Sequence, residues 1–272
     1  MPTEIWASRI PLFVPGDRPD RFQKAADSGA DAIIIDLEDA VAEADKPSAR
    51  HSLVSHGVTN APVIVRMNAL ETPHAEADIE AISNARLDAV MVAKAADAGA
   101  LTDLGQRLDG DRPLIALIET VDGLASARAI AAAPGVVQLA FGSADFSVEL
   151  GCADDWEPLV AARSELVLAS ALARIAPPLD GVTIAIDDPK TVEADAARAK
   201  RHGFGGKLLI HPKQITPARA GFRPSEDEVA WAKKIVRSVG GAETGAVASG
   251  GDMVDKPVLA RAQRILADHE RA

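Results

Sequence analysis

The sequence predicts an α/β fold: a (β/α)8 TIM barrel followed by a C-terminal helical arm or lid. Three observations carry this. Eight short apolar runs recur along the first 215 or so residues, nearly all followed by a helical pattern. The runs are continuous rather than alternating, as strands covered on both faces are. No Gly-x-Gly-x-x-Gly follows any run, which weighs against an open doubly wound sheet. The expected division is 1–222 for the barrel and 223–272 for the helical extension.

The elements follow in order. Ile10–Val14 is a short apolar run closed by Pro15-Gly16-Asp17-Arg18-Pro19, and a helix begins near Asp20. Ala32–Ile35 is a second strand ending in Asp36-Leu37-Glu38-Asp39, and a polar helix covers about Lys46 to Val54. Val63–Val65 ends at Arg66-Met67-Asn68, before a helix over Ala75–Ala85. Ala89–Val92 ends at Lys94, and Asp97–Leu108 is helical. Leu114–Ile118 ends at Glu119, before an Ala-rich helix over Gly123–Ala133 stopped by Pro134-Gly135. Val136–Gly142 runs into a loop carrying Asp145. Glu157–Ile175 is the longest helical pattern, stopped by Pro177-Pro178. Strand seven is then expected at Val182–Ile186, ending at Asp187, with a helix over Val192–Arg201. Strand eight is expected at Lys207–Ile210, ending at His211. Residues 226–238 read as an amphipathic helix, a glycine-rich run follows, and a last helix ends near Ala267.

Composition bounds the function. Of 272 residues, 47% are apolar but only 3% aromatic, and Tyr is absent, so the core must be aliphatic. A net charge of −11 argues against a general phosphate-backbone binder, so no nucleic-acid partner is expected. The single Cys152 excludes an internal disulfide framework and suits a reducing compartment. Neither an 18-residue apolar stretch nor a signal segment is visible, so a cytoplasmic protein without a membrane partner is expected.

Barrel active sites lie at the C-terminal ends of the strands. Those positions hold Asp36, Arg66, Lys94, Glu119, Asp145, Asp187 and His211. Glu119 and Asp145, on neighbouring strands, form a natural seat for Mg²⁺, which keeps several coordination positions for water or substrate. Helix caps or ordinary ion pairs are the plainer alternative for these two. Arg66 suits a substrate carboxylate or oxyanion, or a structural bridge to Asp36 or Glu38. Asp36 and Glu38 are assigned to orienting Arg66 and metal-bound water. Lys94 is either a Schiff-base lysine or, preferably, a cation neutralising the acids. His211 reads as structural.

Five stretches carry a resemblance: Val14–Phe22, Ile35–Val41, Val65–Asn68, Ile118–Thr120 and Gly206–Ile215. Together they resemble the citrate lyase β-subunit-like family of the HpcH/HpaI aldolase superfamily, which includes malyl-CoA and citramalyl-CoA lyases. The resemblance implies Mg²⁺ on Glu119 and Asp145, and substrate on Arg66. It implies acyl-CoA contacts from Phe13, Arg18 and Lys24. It also implies an acid/base role for Asp255, delivered by the C-terminal arm to the next subunit of a homo-oligomer, a trimer being favoured.

The expected activity is Mg²⁺-dependent cleavage or formation of a 3-hydroxyacyl-CoA such as malyl-CoA or citramalyl-CoA, giving acetyl-CoA and a 2-oxo acid. The partners are thus an acyl-CoA or acyl-carrier thioester and a 2-oxo acid. The alternatives are a citrate lyase β-type subunit acting on a carrier-bound citryl thioester, and a metal-dependent aldolase of free 4-hydroxy-2-oxo acids. Ala93 where the family usually has Pro, and the Gly142–Phe146 turn, depart from the family pattern.

Overall fold

The computed structural model describes residues 8–110, 112–239, 247–249 and 252–270. The chain divides into two compact units, Met1–Gly221 and Phe222–Ala272.

The first unit holds eight parallel strands in sequential order. They are β1 (Leu12–Pro15), β2 (Ile33–Asp36), β3 (Val63–Met67), β4 (Ala89–Val92), β5 (Leu114–Ile118), β6 (Val136–Phe141), β7 (Ala176–Asp180) and β8 (Gly206–Lys207). The ring closes between the last strand and the first. Lys207 N donates to Arg9 O, Leu209 N to Pro11 O, and Phe13 N to Leu209 O, at 2.7–3.0 Å. A closed ring leaves no unpaired strand edge.

Between the strands run α1 (Phe22–Ala26), α2 (Lys46–Val54), α3 (Ala75–Asn84), α4 (Ala98–Arg107), α5 (Val121–Ala125), α6 (Ala127–Ala131), α7 (Ser143–Leu150), α8 (Trp156–Ala173) and α9 (Pro189–His202). Among the described residues no helix is long and apolar enough to cross a membrane.

The apolar runs alternate in what they face. Ile34, Ile64, Met91, Ile115, Leu117, Ala140, Leu179 and Leu208 pack together inside the ring. The intervening Ile33, Ile35, Val63, Val65, Val90, Leu114 and Ala116 are also buried, outward, under the helices. Two-sided burial is why these strands read as unbroken apolar stretches.

Two expectations need correction. Strand seven is Ala176–Asp180, not Val182–Ile186. α8 ends at Ala173, Arg174 takes a left-handed turn, and the prolines that looked like a helix stop lie inside the strand. Proline lacks an N–H, but its carbonyl still accepts: Gln138 Nε2 donates to Pro177 O at 2.8 Å and Gly205 N to Pro178 O at 2.9 Å. Val182–Ile186 is irregular, with Ile184 exposed. The acid closing β7 is therefore the buried Asp180, held by Arg163 Nε at 2.8 Å. Asp187 is a surface residue paired with Lys213. Second, Asp145 lies in the first turn of α7, not in a loop; a carboxylate is favoured there by the helix dipole.

The second unit contains α11 (Glu226–Val239), after α10 (Ile215–Phe222), which straddles the division. It continues with an antiparallel pair, β9 (Val247–Ser249) and β10 (Asp252–Val254), and α12 (Lys256–Glu270). Val229, Ala232, Ile235, Val254, Ala262 and Ile265 form its small core.

Candidate active site

The site grows out of the barrel's inner face. Side chains on a strand repeat every two residues. Asp36, Arg66 and Glu119 lie two positions beyond the inward-facing Ile34, Ile64 and Leu117. They point the same way, just above the last apolar layer.

Arg66 is fixed from three sides. Its Nε and Nη2 donate to the two oxygens of Asp36 at 2.7 and 2.6 Å. Its Nη1 lies 2.9 Å from Glu38 Oε2, and its guanidinium carbon stacks 4.8 Å from the centre of the Phe13 ring. Asp36 is also filled from the other side, accepting from Glu38 N at 2.9 Å and Ala40 N at 3.0 Å. A planar donor fork against a carboxylate gives a fixed orientation as well as attraction.

Glu119 ends β5 and is 3% exposed. The next residue, Thr120, caps α5 by accepting from Gly123 N at 3.0 Å, so the chain turns immediately into helix. Glu119 Oε1 accepts from Lys94 N at 2.8 Å. On its other side the carboxylate presses on Gly142, where a Cβ would lie 2.5 Å from Oε2. Burial, together with the charge of Glu38, pushes the Glu119 carboxyl up to about 8, against the opposing pull of Arg66 and Lys94. Glu38 is raised in the same direction, first by burial.

Lys94 joins the acids. Its ammonium forms a short hydrogen bond with Glu38 and stands 3.5 Å from Asp145 and 3.9 Å from Glu119. Burial works against its charge, but the Glu38 bond and the surrounding acids outweigh it and leave the ammonium above its ordinary pKa. That is the opposite of what a Schiff-base lysine needs. A cavity of about 360 Å³ opens above this group, lined among others by Phe13, Arg66, Glu119, Gly142 and Asp145.

Beneath the β2 end lies a polar network that the sequence did not reveal. The buried Lys46 ammonium donates to Leu37 O, Glu38 O and Asn68 Oδ1 at 2.8–3.0 Å. Asn68 Nδ2 donates to Asp78, which also holds Arg50. Lys46 and Asp78 sit in stretches that read as surface helix, and each is the one buried charged residue of its helix.

The remaining sequence candidates fall elsewhere. Arg18 is half exposed and bonded to Asp20 at 2.9 Å, and Lys24 is exposed on α1. His211 accepts from Lys213 N at 3.1 Å at the start of a short helical turn. Asp255 belongs to the second unit, where it is exposed and caps α12, accepting from Val258 N at 3.0 Å. Among the described residues no three His, Cys, Asp or Glu side chains gather as a ready-made metal cage.

A closed α/β barrel with an arginine, a lysine and buried acids gathered at the ends of its strands beside one cavity is the layout of an enzyme site. The chain belongs to the HpcH/HpaI aldolase/citrate lyase family, whose model matches residues 9–212. It is by that membership an enzyme of a carbon–carbon lyase family. It is 40% identical to a citrate lyase subunit beta-like protein of Mycobacterium tuberculosis, over 94% of this chain and 93% of that one. It is 35% identical to a (3S)-malyl-CoA thioesterase of Cereibacter sphaeroides, over 96% and 94%. It is 32% identical to an L-malyl-CoA/beta-methylmalyl-CoA lyase of Rhodobacter capsulatus, over 100% and 97%. The structure is similar to that of the CitE protein of M. tuberculosis in complex with magnesium, acetoacetate and coenzyme A. That likeness has a TM-score of 0.89 at 35% identity and covers 98% of this chain and 100% of the other.

Proposed function

We propose that this protein is a Mg²⁺-dependent lyase that cleaves, or forms, a 3-hydroxyacyl-CoA, with acetyl-CoA and a 2-oxo acid as the other side of the reaction. One observation carries the reading: Glu119 and Asp145 flank a single cation beside an arginine already aimed over the same cavity.

The donor set fits magnesium. Both candidate ligands are hard carboxylate oxygens, and both stand near one cation, the Lys94 ammonium, at 3.9 and 3.5 Å. Two protein carboxylates are enough for an ion that keeps most of its coordination for water and substrate. When bound, the ion supplies Lewis-acid polarisation of the substrate hydroxyl and of the emerging 2-oxo acid.

The chain's own residues do the rest. Arg66 binds the substrate carboxylate and the developing oxyanion, and Asp36 and Glu38 hold it in that pose. The substrate hydroxyl loses its proton to water as its carbon becomes the 2-oxo carbonyl, and the carbon–carbon bond breaks with its electron pair passing to the thioester as an enolate. Asp255 then gives a proton to that carbon, and takes one from it in the reverse direction. An aspartate near its reference value of about 3.9 is a weak base for such a carbon acid, so the arm has to desolvate it. In this reading Asp255 comes from a neighbouring subunit of a trimer, and Phe13, Arg18 and Lys24 meet the CoA portion. The lone Cys152 goes with a reducing, cytoplasmic setting.

The thioesterase relative favours a second reading, hydrolysis of the same thioester. Both are separated by one assay of malyl-CoA and citramalyl-CoA with Mg²⁺, following 2-oxo acid and free thiol separately. Prompt 2-oxo acid, lost in EDTA, supports the lyase. Thiol alone points to hydrolysis. Turnover of only carrier-bound citryl thioester or only free 4-hydroxy-2-oxo acids rejects both.

A further inference from the structure

Lys94 has a geometry that the mechanism leaves unused. Its main chain lies in the left-handed region, φ 49°, an uncommon place for a residue with a Cβ. That turn lets its N–H bond Glu119 while its side chain bends back over the same acids. Among the described residues the ammonium is hydrogen-bonded to Glu38 alone. The 3.5 and 3.9 Å separations from Asp145 and Glu119 are too long for charge-assisted hydrogen bonds, which run near 2.7–2.9 Å. They describe a tethered cation standing in the field of two carboxylates.

We infer that the Lys94 ammonium is the resident counter-cation of the Glu119–Asp145 seat, and that a divalent cation entering the seat competes with it for these two acids while it keeps its bond to Glu38. The inference rests on the reading of those two acids as metal ligands. Without the metal the lysine relieves the repulsion that builds among Glu38, Glu119 and Asp145 as they ionise. Against an incoming ion the same charge is a competitor. Lys94 is therefore a positioning residue that lowers metal affinity while keeping the metal-free acids together. A lysine with a purely structural role would show the reverse: its loss would loosen the acids and weaken the metal.

The test is Mn²⁺ binding by electron paramagnetic resonance in the wild type, Lys94→Met, Lys94→Arg and Asp145→Asn. The expected result is one Mn²⁺ in the wild type, lost in Asp145→Asn, and bound about tenfold or more tightly in Lys94→Met, as removal of a charge at this distance implies. Lys94→Arg should bind no better than wild type. Chelated Lys94→Met should also melt lower than wild type and gain more on adding Mn²⁺. Unchanged or weaker binding in Lys94→Met overturns the inference while leaving the metal reading intact. Wild-type binding that survives Asp145→Asn, or no binding, removes the metal reading and the inference with it. Should Lys94→Met fail to fold, Lys94→Gln is judged by the same criterion.

Discussion

Asp36 and Arg66 occupy the same register position on adjacent strands, and both carboxylate oxygens engage the guanidinium. Backbone pairing thus sets the arginine's direction before any substrate arrives. Asp36 is almost fully buried. Asp36→Asn removes the charge but keeps the shape, leaving the arginine short of one partner. Breaking a buried pair in this way costs about 3–5 kcal/mol. The expected outcome is a clear fall in melting temperature and a loss of turnover larger than any change in metal affinity, checked by calorimetry and steady-state kinetics.

Gly142 is the only residue type that leaves room for Glu119. A methyl group at 142 would overlap the glutamate's Cβ and Oε2. Gly142→Ala should cost about 1–3 kcal/mol by overpacking. Because the displaced side chain is the proposed ligand, Mn²⁺ affinity should fall by about 10–100-fold. Titration of the purified variant reads this directly.

Glu119 gives the metal-free protein a pH dependence with a defined sign. Its carboxyl sits at about 8 in the fold, against an ordinary 4.5. Between those values the native state holds a proton that the unfolded chain has released. This group's contribution is therefore whole below about pH 4.5 and is lost as pH climbs toward 8. Melting temperature in EDTA should decline across that window, and Glu119→Gln should flatten the decline. Metal binding requires the ionised form, so Mn²⁺ affinity should rise over the same range.

Lys46 tests the support beneath the β2 end. It donates to two carbonyls and to Asn68 from a buried position. Lys46→Met leaves Asn68 Oδ1 without its donor, at about 1–3 kcal/mol, while Leu37 O keeps Asn68 Nδ2 and Glu38 O keeps Val41 N. Turnover should fall as well, because Leu37 and Glu38 each lose one of two hydrogen bonds to their carbonyls; melting curves and kcat measured on one preparation check both.

Asp255→Asn should separate chemistry from structure. Asn is as good a helix cap as Asp, so α12 should change by only a few tenths of a kcal/mol. If Asp255 moves the proton, turnover should drop by about 10²–10⁴-fold at unchanged Mn²⁺ affinity. Wild-type turnover would remove it from the mechanism.

The barrel was legible because its strands are covered on both faces and read as solid apolar runs; β4 and β5 match residue for residue. Strand seven was not, since Ala176–Asp180 contains two prolines and its ladder is completed by a glutamine side chain and by β8. Strand-end chemistry showed Arg66, Glu119 and Lys94 as candidates, because polar residues capping apolar runs are conspicuous. The sequence offered Lys94 as a cation neutralising the acids, as it proves to be, but not which three it meets, which depends on a left-handed turn at Lys94. Nor did it show Lys46 and Asp78, whose burial is decided by what packs against α2 and α3.

The short eighth stave has a consequence for how the molecule breathes. β8 pairs with β7 at two positions and meets β1 through a single bridge and three main-chain bonds. Amide exchange should begin at this seam, ahead of the longer staves β3, β5 and β6. Arg66 and Glu119 are mounted on β3 and at the end of β5, three staves from it in either direction, so the cylinder can part at this seam without disturbing the strands that carry them.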